Sequence, residues 1–405
     1  MAFTLRFSAT DEKSKTTDKI LVVVAVLLTL LASTNSVILS NQVMTTPIIL
    51  GPLCLVCKRA CDQMVPMISS FYSAINSQTS KLKADASVFT IADGIVQHLL
   101  INHLFSGNKF KDVVGEEDGC SVNIYTRPFT VDNLTVPEEF VECIEDVLQS
   151  IIKLSDEISP ESYKDLTVFI DPIDGTREFS TNLGEQCSVC IGFSSAVGKP
   201  VAGIVYRPLS NPVTWAAGAV SESFSDCSLD MATTTNRKGL LTSNGGISPF
   251  VAKLITELEY ERVPSGGAGN KMLMLLEGKG TAYIQDRGVS RWDTSGAQAV
   301  IEANGGTLSK LTSFVAQKDL QSYTYLKSSV NLDFESGVAS LTQFNAAEGS
   351  TFKKGDKVLA SDVSMVRPYS NLCGLLAVHR VAMPQLDLVH DAILKVIAVE
   401  PPSYD

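Results

Sequence analysis

The sequence is short of basic residues: 33 Lys and Arg stand against 44 Asp and Glu, and the formal net charge of the 405 residues is −11. This deficit argues against a nucleic-acid-binding protein, because the phosphate backbone rewards clustered cations. An acidic chain can still bind an anionic small molecule if metal ions bridge the like charges. The apolar share of 45% excludes wholesale disorder. The length suits one large domain or two packed ones, and no internal repeat is present.

The nine cysteines cannot all pair with one another, because their number is odd. Cys54 and Cys57, like Cys187 and Cys190, have the Cys-x-x-Cys spacing of zinc and redox sites. The second pair lies in an apolar run typical of a buried strand, where residues three apart point to opposite faces and cannot share a metal. We therefore favour a structural role for both pairs.

One long hydrophobic run is present, at residues 20–39. A helix of roughly 20 residues can just span a bilayer, and the strictly apolar part, 20–31, is about as long as the core of a signal peptide. Basic residues precede the run and none follows until Lys58, which predicts that the rest of the chain lies on the non-cytoplasmic side. We expect residues 1–45 to be a polar segment with a single membrane anchor or a cleaved signal, which favours a membrane-anchored protein or one in the Golgi or ER lumen. A cleaved organelle transit peptide is the third option.

Hydrophobic periodicity predicts a mixture of helices and strands. The predicted helices occupy residues 58–78, 88–105, 137–154, 248–259, 270–277 and 294–304. The predicted strands occupy residues 166–170, 187–194, 201–207 and 282–285. Residues 312–353 are rich in Ser, Thr, Gln and Asn without clear periodicity, and we interpret them as a surface insertion.

Three acidic clusters lie at the ends of apolar strands or the starts of helices: Gly-Glu-Glu at 115–117, Asp-Pro-Ile-Asp-Gly-Thr at 171–176 and Trp-Asp at 292–293. In the second cluster, two carboxylates three residues apart can share a divalent ion, and the amides of the following helix start suit a phosphate. Hard oxygen ligands favour magnesium over zinc. Each cluster alone could equally be a helix cap or a solvated turn.

Together and in this order, the three clusters resemble the motifs of the lithium-sensitive, magnesium-dependent phosphomonoesterases, the superfamily of inositol monophosphatases and bisphosphate nucleotidases. The resemblance covers roughly residues 50–311 and resumes at about 355–380. It implies an α/β (α+β) fold, a layered αβαβα sandwich of the inositol monophosphatase or sugar-phosphatase type. The phosphatase domain would span residues 46–405, with sub-domains at about 46–240 and 241–405.

The resemblance also implies a metal site for two or three Mg²⁺ ions, with Li⁺ as an inhibitor. Glu116, Asp171 and the Ile173 carbonyl would hold the first magnesium. Asp171, Asp174 and Asp293 would hold the second.

By the same resemblance, Asp93 pairs with Thr176, and the two orient and deprotonate a water that the metals activate. Metals that neutralise the phosphate leave little covalent chemistry for the protein to perform. The implied substrate-binding residues are Gly175, Thr176, Gly267, Ala268, Lys271 and Asp293.

Two segments favour the bisphosphate nucleotidase branch of the superfamily: Asp-Gly-Thr-Arg-Glu-Phe at 174–179 and Gly-Gly-Ala-Gly-Asn-Lys at 266–271. The glycines let the backbone approach an anion, and Lys271 adds a positive charge. Residues 242–246, however, lack the basic Arg-Ser-His-like stretch usual in that branch. The insertion at 312–353 lies where inositol polyphosphate 1-phosphatases are also enlarged.

We therefore expect hydrolysis of the 3'-phosphate of adenosine 3',5'-bisphosphate to AMP, with an inositol phosphate or inositol polyphosphate 1-phosphatase as the alternative. A catalytically silent protein that binds an anionic nucleotide is the alternative from another class. It is disfavoured because clustered carboxylates are costly to keep without a cation to bind. Homodimers are common among relatives, so a homodimer is one option for assembly.

Overall fold

The computed structural model describes residues 49–404 apart from 84–86, 118, 235–237, 288, 327–337, 341–345, 348–355 and 360–364. Residues from Ile49 onward form one compact unit. The predicted anchor, signal or transit segment within residues 1–45 lies outside the described residues and stays a prediction. Among the helices that are described, none has the length and apolar character needed to cross a membrane.

The chain mixes helices with runs of consecutive strands. The helices are α1 Gly51–Ser73, α2 Ile91–Leu99, α3 Val141–Ser155, α4 Pro160–Tyr163, α5 Thr176–Ser180, α6 Pro249–Leu258, α7 Ala268–Leu276, α8 Arg291–Ala303, α9 Leu311–Gln317 and α10 Leu386–Ile397. The strands are β1 Ser80–Leu82, β2 Val88–Thr90, β3 Asp112–Gly115, β4 Val122–Asn123, β5 Thr130–Val131, β6 Leu134–Thr135, β7 Thr167–Asp174, β8 Ser188–Ser194, β9 Pro200–Arg207, β10 Thr214–Ala219, β11 Phe224–Cys227, β12 Gly239–Thr242, β13 Glu261–Pro264, β14 Ala282–Gln285, β15 Val289–Ser290, β16 Thr307–Lys310, β17 Val338–Ser340, β18 Lys357–Leu359, β19 Ser370–Asn371 and β20 Leu375–Val378.

Two large sheets organise the fold. The first has the strand order β11-β10-β9-β8-β7-β3, in which only the β3–β7 pair is parallel. The second has the order β13-β12-β14-β20-β16 and mixes parallel and antiparallel pairs. The first sheet ends at Cys227 and the second begins at Gly239 with β12, so the sub-domain boundary predicted near residue 240 lies within this strand and stays a prediction.

Side-chain alternation in the strands produces five layers. Val168 and Ile170 of β7 pack with α1, α2 and α3 in one apolar core, whereas Phe169 points to the opposite face and packs with α7 and α8 in a second core. The second sheet closes that second core through Tyr283, and its other face packs Ile284 against α6 and α10 in a third core. The order helix, sheet, helix, sheet, helix confirms the predicted αβαβα sandwich.

Helix α8 lies unusually close to the first sheet because glycines face each other across the contact. A Cβ atom added to Gly296 would lie 2.6 Å from the Ile191 carbonyl oxygen, and one added to Gly203 would lie 2.6 Å from the Gly296 Cα. No real Cβ fits at such distances, so glycine is required here. The close packing brings the first turn of α8 to the end of β7.

Several predicted elements have different bounds in the structure. Residues 88–90, predicted as the start of a helix, form strand β2, and α2 begins at Ile91 because the Thr90 side chain caps it. Helix α1 runs over Gly51–Ser73 rather than 58–78, and α8 begins at Arg291 rather than 294. Helix ends depend on capping and on the contacts of the folded chain, which apolar periodicity does not define.

The prediction of a surface insertion at 312–353 is wrong for its first part. Residues 311–317 form α9, and Phe314, Tyr323 and Tyr325 are buried. The Tyr325 hydroxyl donates to Gln298 Oε1 of α8 at 2.6 Å, and the Tyr323 hydroxyl donates to the Gly374 carbonyl. The polar composition concealed these few aromatic anchors, which bury a large area each. Most of residues 327–353 lie outside the described residues.

Candidate active site

Three carboxylates converge where β7 ends and α8 begins. Asp171 and Asp174 are the last carboxylates of β7, and Asp293 occupies the third position of α8. One oxygen from each of the three lies within 4.8 Å of the others. The Ser290 amide donates to Asp293 Oδ2 at 2.7 Å, so this side chain also caps its own helix. The convergence supports the predicted second metal site.

Among the three carboxylates, Asp171 is the one whose burial is most costly. It is 2% exposed, and its Oδ1 atom has no hydrogen-bond partner. Burial, reinforced by the charges of Glu116, Asp174 and Asp293, raises the pKa of Asp171 well above its usual range. A buried carboxylate oxygen without a partner is costly beside like charges. The arrangement therefore fits a hard divalent cation with oxygen ligands, such as Mg²⁺.

The same charges act on Asp293. Burial, followed by the carboxylates of Asp174 and Glu116, raises the pKa of Asp293 to about 7. Bound divalent cations would reverse this effect, because they favour the ionised form.

Glu116 lies beside this cluster because β3 is paired with β7. Its backbone amide donates to the Ile170 carbonyl at 3.1 Å, and its side chain lines the same cavity as Asp174 and Asp293. The structure thus brings together the four carboxylates that the resemblance assigns to two magnesium ions.

Lys83 is a site residue that the sequence reasoning missed. Its ammonium group donates to Glu116 Oε1 at 3.0 Å and also to Glu117 Oε1. Burial lowers the pKa of Lys83, but the charges of Glu116, Glu117 and Asp93 outweigh it and raise the pKa above its usual range. Lys83 lies outside all three acidic motifs, so no local pattern in the sequence marks it as a site residue.

Asp93 and Thr176 form the predicted pair. The Thr176 hydroxyl lies 3.1 Å from Asp93 Oδ1 and 3.0 Å from the Ile173 carbonyl oxygen. Thr90 donates to the other Asp93 oxygen through its amide at 2.8 Å and through its hydroxyl at 2.5 Å. Burial raises the pKa of Asp93 to about 6. Both Asp93 oxygens are therefore held in place, and one of them faces the threonine.

Asp174 is bound to the start of α7, which carries the glycine-rich segment. Its oxygens accept hydrogen bonds from the Ala268 amide at 2.8 Å, the Gly269 amide at 2.7 Å and the Ser188 hydroxyl at 2.8 Å. A helix N-terminus favours an anion, which offsets part of the cost of burying Asp174. Ala268, predicted as a substrate contact, thus gives its amide to the protein and borders the cavity with its remaining atoms.

Gly267 must be glycine for two reasons. Its φ of +62° lies in the left-handed region, and a Cβ atom there would lie 2.8 Å from Asp174 Oδ2 and 2.9 Å from the Gln186 carbonyl oxygen. The backbone can approach an anionic group only because no side chain fills this space.

Lys271 lies on α7, close to Gly267. It is 3% exposed, and its ammonium group donates to the Gly267 carbonyl at 2.6 Å and the Ser265 carbonyl at 3.2 Å. The ammonium also lies 5.0 Å from the centre of the Tyr283 ring, a cation–π distance. Burial lowers the pKa of Lys271.

These groups surround one cavity of about 340 Å³, within the size range of small-molecule sites, roughly 300–1,000 Å³. The predicted residues that line it are Glu116, Asp174, Gly175, Gly267, Ala268, Lys271 and Asp293. Lining residues that the sequence reasoning missed include Tyr283, Gln285, Trp292, Arg367 and Ser370. Tyr283 and Gln285 share strand β14 and Trp292 precedes Asp293 in α8, whereas Arg367 and Ser370 lie more than 70 positions further along the chain.

The chain is similar in sequence to a family of known proteins. The family model described as "Inositol monophosphatase family" matches residues 56–345. Mouse 3'(2'),5'-bisphosphate nucleotidase 1 is 29% identical over 234 residues, which cover 55% of this chain and 71% of the relative. Bovine Golgi-resident adenosine 3',5'-bisphosphate 3'-phosphatase is 30% identical over 176 residues, which cover 42% of this chain and 46% of the relative.

A solved structure shows the same fold. The extragenic suppressor protein suhB from Bartonella henselae aligns with a TM-score of 0.50 at 13% sequence identity, over 85% of this chain and 99% of that protein. The family match extends over most of the chain. The chain therefore belongs to the inositol monophosphatase family and is a phosphoric monoester hydrolase.

Proposed function

We propose that the protein is a magnesium-dependent phosphatase that removes the 3'-phosphate of adenosine 3',5'-bisphosphate and leaves AMP. The observation that carries the proposal is the buried, unpartnered Asp171 oxygen within the three-carboxylate cluster. The cluster borders a cavity that also holds the cationic Lys271. Two relatives whose names specify bisphosphate nucleotides support the choice of substrate.

The metal ligands in this proposal are the ones that the resemblance implies. Glu116, Asp171 and the Ile173 carbonyl would hold one Mg²⁺, and Asp171, Asp174 and Asp293 would hold a second. Bound Mg²⁺ supplies neutralisation of the phosphate charge and a lowered pKa of water. Fixed carboxylates suit this role, because their geometry changes little during the reaction.

The Asp93–Thr176 pair accepts the proton of the attacking water. The single hydroxyl proton of Thr176 can be donated to Asp93 Oδ1, which leaves the oxygen lone pairs of Thr176 free to accept from the attacking water. The two hydrogen bonds from Thr90 keep Asp93 from rotating away. The pair thus orients the water and moves its proton toward a buried carboxylate.

The substrate is held by groups on the other side of the cavity. Gly175 and Gly267 line the cavity where the phosphate would bind, and Lys271 adds a positive charge near Gly267. The positive charge of Lys271 favours a substrate with more than one phosphate group, because each additional negative charge on the substrate strengthens the attraction.

One observation keeps an inositol phosphate as the second candidate. Asn244 donates to Glu178 Oε1 at 2.9 Å and to Gln186 Oε1 at 2.7 Å. These bonds hold residues 242–246 against neighbouring side chains of the protein. The segment contains no basic residue. The nucleotide contacts usual at this position are therefore missing.

The decisive test is phosphate release by the full chain with Mg²⁺, comparing adenosine 3',5'-bisphosphate, inositol 1-phosphate and inositol 1,4-bisphosphate, each with and without Li⁺. We expect the highest kcat/KM for the nucleotide, inhibition by Li⁺ and no turnover after chelation of Mg²⁺. A higher kcat/KM for an inositol phosphate would move the protein to the second candidate. Tight binding of the nucleotide without release from any substrate would favour the catalytically silent binding protein.

We also propose that residues 20–39 anchor the protein in a membrane of the secretory pathway. The apolar run and the Golgi-resident relative support this location. Carbonate extraction of membranes from cells that express the full chain should leave the protein in the pellet. Release into the supernatant would instead indicate a cleaved segment or no anchor.

A further inference from the structure

Two histidines and a tyrosine meet on the surface at the far end of α2. His98 lies in the last turn of α2, and His103 lies in the π-helical turn Leu100–Leu104 that follows it. In an α-helix, residues five apart point in different directions, whereas the wider π-helical turn brings them onto a common face. Here the two imidazole ring centres are 5.3 Å apart.

Both imidazoles point at the same atom. The Tyr125 hydroxyl oxygen lies 3.2 Å from His98 Nε2 and 3.1 Å from His103 Nε2. A phenol has one proton to donate, so one ring must accept from Tyr125 while the other donates to it. One of the two Nε2 atoms therefore already directs a lone pair at the Tyr125 hydroxyl. The Nε2 atom of the other histidine gains a free lone pair when that ring changes tautomer.

The rings are in the protonation state that metals bind. Burial, together with the neighbouring His103, lowers the pKa of His98 to about 4, and burial also lowers the pKa of His103. Neutral imidazole is the ligand form, so neither histidine must lose a proton, and only the Tyr125 phenol would release one, to solvent, when an ion binds.

We propose that His98, His103 and Tyr125 form a binding site for a borderline divalent transition ion, of which Zn²⁺ is the type. Bonds of about 2.0–2.1 Å to a tetrahedral Zn²⁺ separate neighbouring ligand atoms by about 3.3 Å. The distances from the Tyr125 hydroxyl oxygen to His98 Nε2 and His103 Nε2 differ from this ligand–ligand separation by at most about 0.2 Å. Solvent completes the coordination, since the Tyr125 side chain is 63% exposed.

The turn that carries Tyr125 is stabilised by the Asn123 side chain. Asn123 Oδ1 accepts from the Tyr125 and Thr126 amides, both at 3.2 Å, and Asn123 Nδ2 donates to the Thr126 carbonyl at 2.8 Å. This turn fixes the backbone that carries Tyr125. The site is thus built from two separately stabilised elements.

The ion would act on the element that carries Asp93. Asp93 lies in the first turn of α2 and His98 in its last turn. Between them, Gln97 Oε1 accepts from the Glu117 amide at 2.9 Å, which connects the helix to the Gly-Glu-Glu segment. An ion bound to His98 and His103 would therefore stabilise the end of this helix. The nitrogen ligands distinguish the site from the carboxylate cluster, which suits Mg²⁺.

The test is calorimetric titration of the full chain with Zn²⁺ in excess Mg²⁺, for the parent and for the variants His98→Ala, His103→Ala and Tyr125→Phe. We expect each histidine variant to bind Zn²⁺ at this site at least about tenfold more weakly, and Tyr125→Phe to show a smaller loss. His390→Ala, which removes a half-buried histidine elsewhere, is the matched control and should bind like the parent. Titration with Cu²⁺ followed by electron paramagnetic resonance should show coupling to two nitrogens in the parent and to fewer in each histidine variant.

The Asp171→Asn variant separates this site from the catalytic carboxylates. Retained Zn²⁺ binding in that variant, with loss in the two histidine variants, supports the proposal. Absence of Zn²⁺ binding to the parent would overturn it, as would binding that survives His98→Ala and His103→Ala but is lost in Asp171→Asn. Circular dichroism of each metal-free variant checks that the fold is intact.

Discussion

Asp171→Asn is expected to lower phosphate release at saturating Mg²⁺ by at least about 100-fold while leaving the protein folded. Metal ions contribute several kcal/mol of transition-state stabilisation, and each 1.36 kcal/mol is about tenfold in rate. The amide has nearly the same shape as the carboxylate, but it cannot supply the negative oxygen that is buried here without a partner. The measurement is kcat for the substrate that the parent prefers.

The stability of the same variant should change in a way that simple misfolding would not produce. Mg²⁺ at about 100 times its Kd should stabilise the parent by about 2.7 kcal/mol, and Asp171→Asn should lose most of this gain. Without Mg²⁺ the variant should melt at least as high as the parent, because an amide adds no charge beside Asp174 and Asp293. Thermal unfolding with and without Mg²⁺ measures both effects.

A matched control is available on α1. Asp62 accepts from the Tyr206 hydroxyl at 2.8 Å and lies outside the cavity. Asp62→Asn should therefore change neither kcat nor the stabilisation by Mg²⁺. Equal loss of activity in both variants, or full activity in Asp171→Asn, would contradict the proposed metal site.

Thr176→Ala should lower kcat by about 100-fold or more with little change in KM, and Thr176→Ser should recover most of the activity. General acid–base groups contribute about 10²–10⁴-fold, and the serine keeps the hydroxyl that faces Asp93 Oδ1 at 3.1 Å. A group that acts on the attacking water affects the transition state more than substrate binding, so the loss should appear in kcat. Steady-state kinetics of the three proteins measure the split.

The role of the pair can be checked by a double-mutant cycle. Asp93→Asn should cost about as much as Thr176→Ala, and the double variant little more, because the two residues act through one hydrogen bond. Additive losses would mean that they act independently. A rise in KM with unchanged kcat would instead assign Thr176 to phosphate binding alone.

The sequence predicted most of the catalytic residues because their chemistry is concentrated in short motifs. Asp171, Asp174 and Thr176 lie within six residues, and a single strand end and turn position all three. Asp93 needed the resemblance, since an aspartate in the first helical turn is commonly a cap. The structure shows that it does both: it caps α2 with Thr90 and faces Thr176.

Other parts of the site could not be predicted in this way. Lys83 belongs to no motif and contacts Glu116 and Glu117 only after the chain has folded. The resemblance implied that Ala268 contacts the substrate, but the Ala268 amide already donates a hydrogen bond to Asp174. The burial of Tyr323 and Tyr325 depends on partners in α8 and in the loop at Gly374, so a polar composition suggested a surface segment instead.

By itself, the sequence determined the family, most helices and strands, and the set of carboxylates, because each is carried by short motifs or local periodicity. Only the tertiary structure decided how those carboxylates meet. The glycine contact of α8 with β8 and β9 brings Asp293 to the end of β7, and the parallel β3–β7 pair brings Glu116 to the same place. Both contacts join residues more than fifty positions apart, and their geometry depends on close packing, which no local pattern encodes.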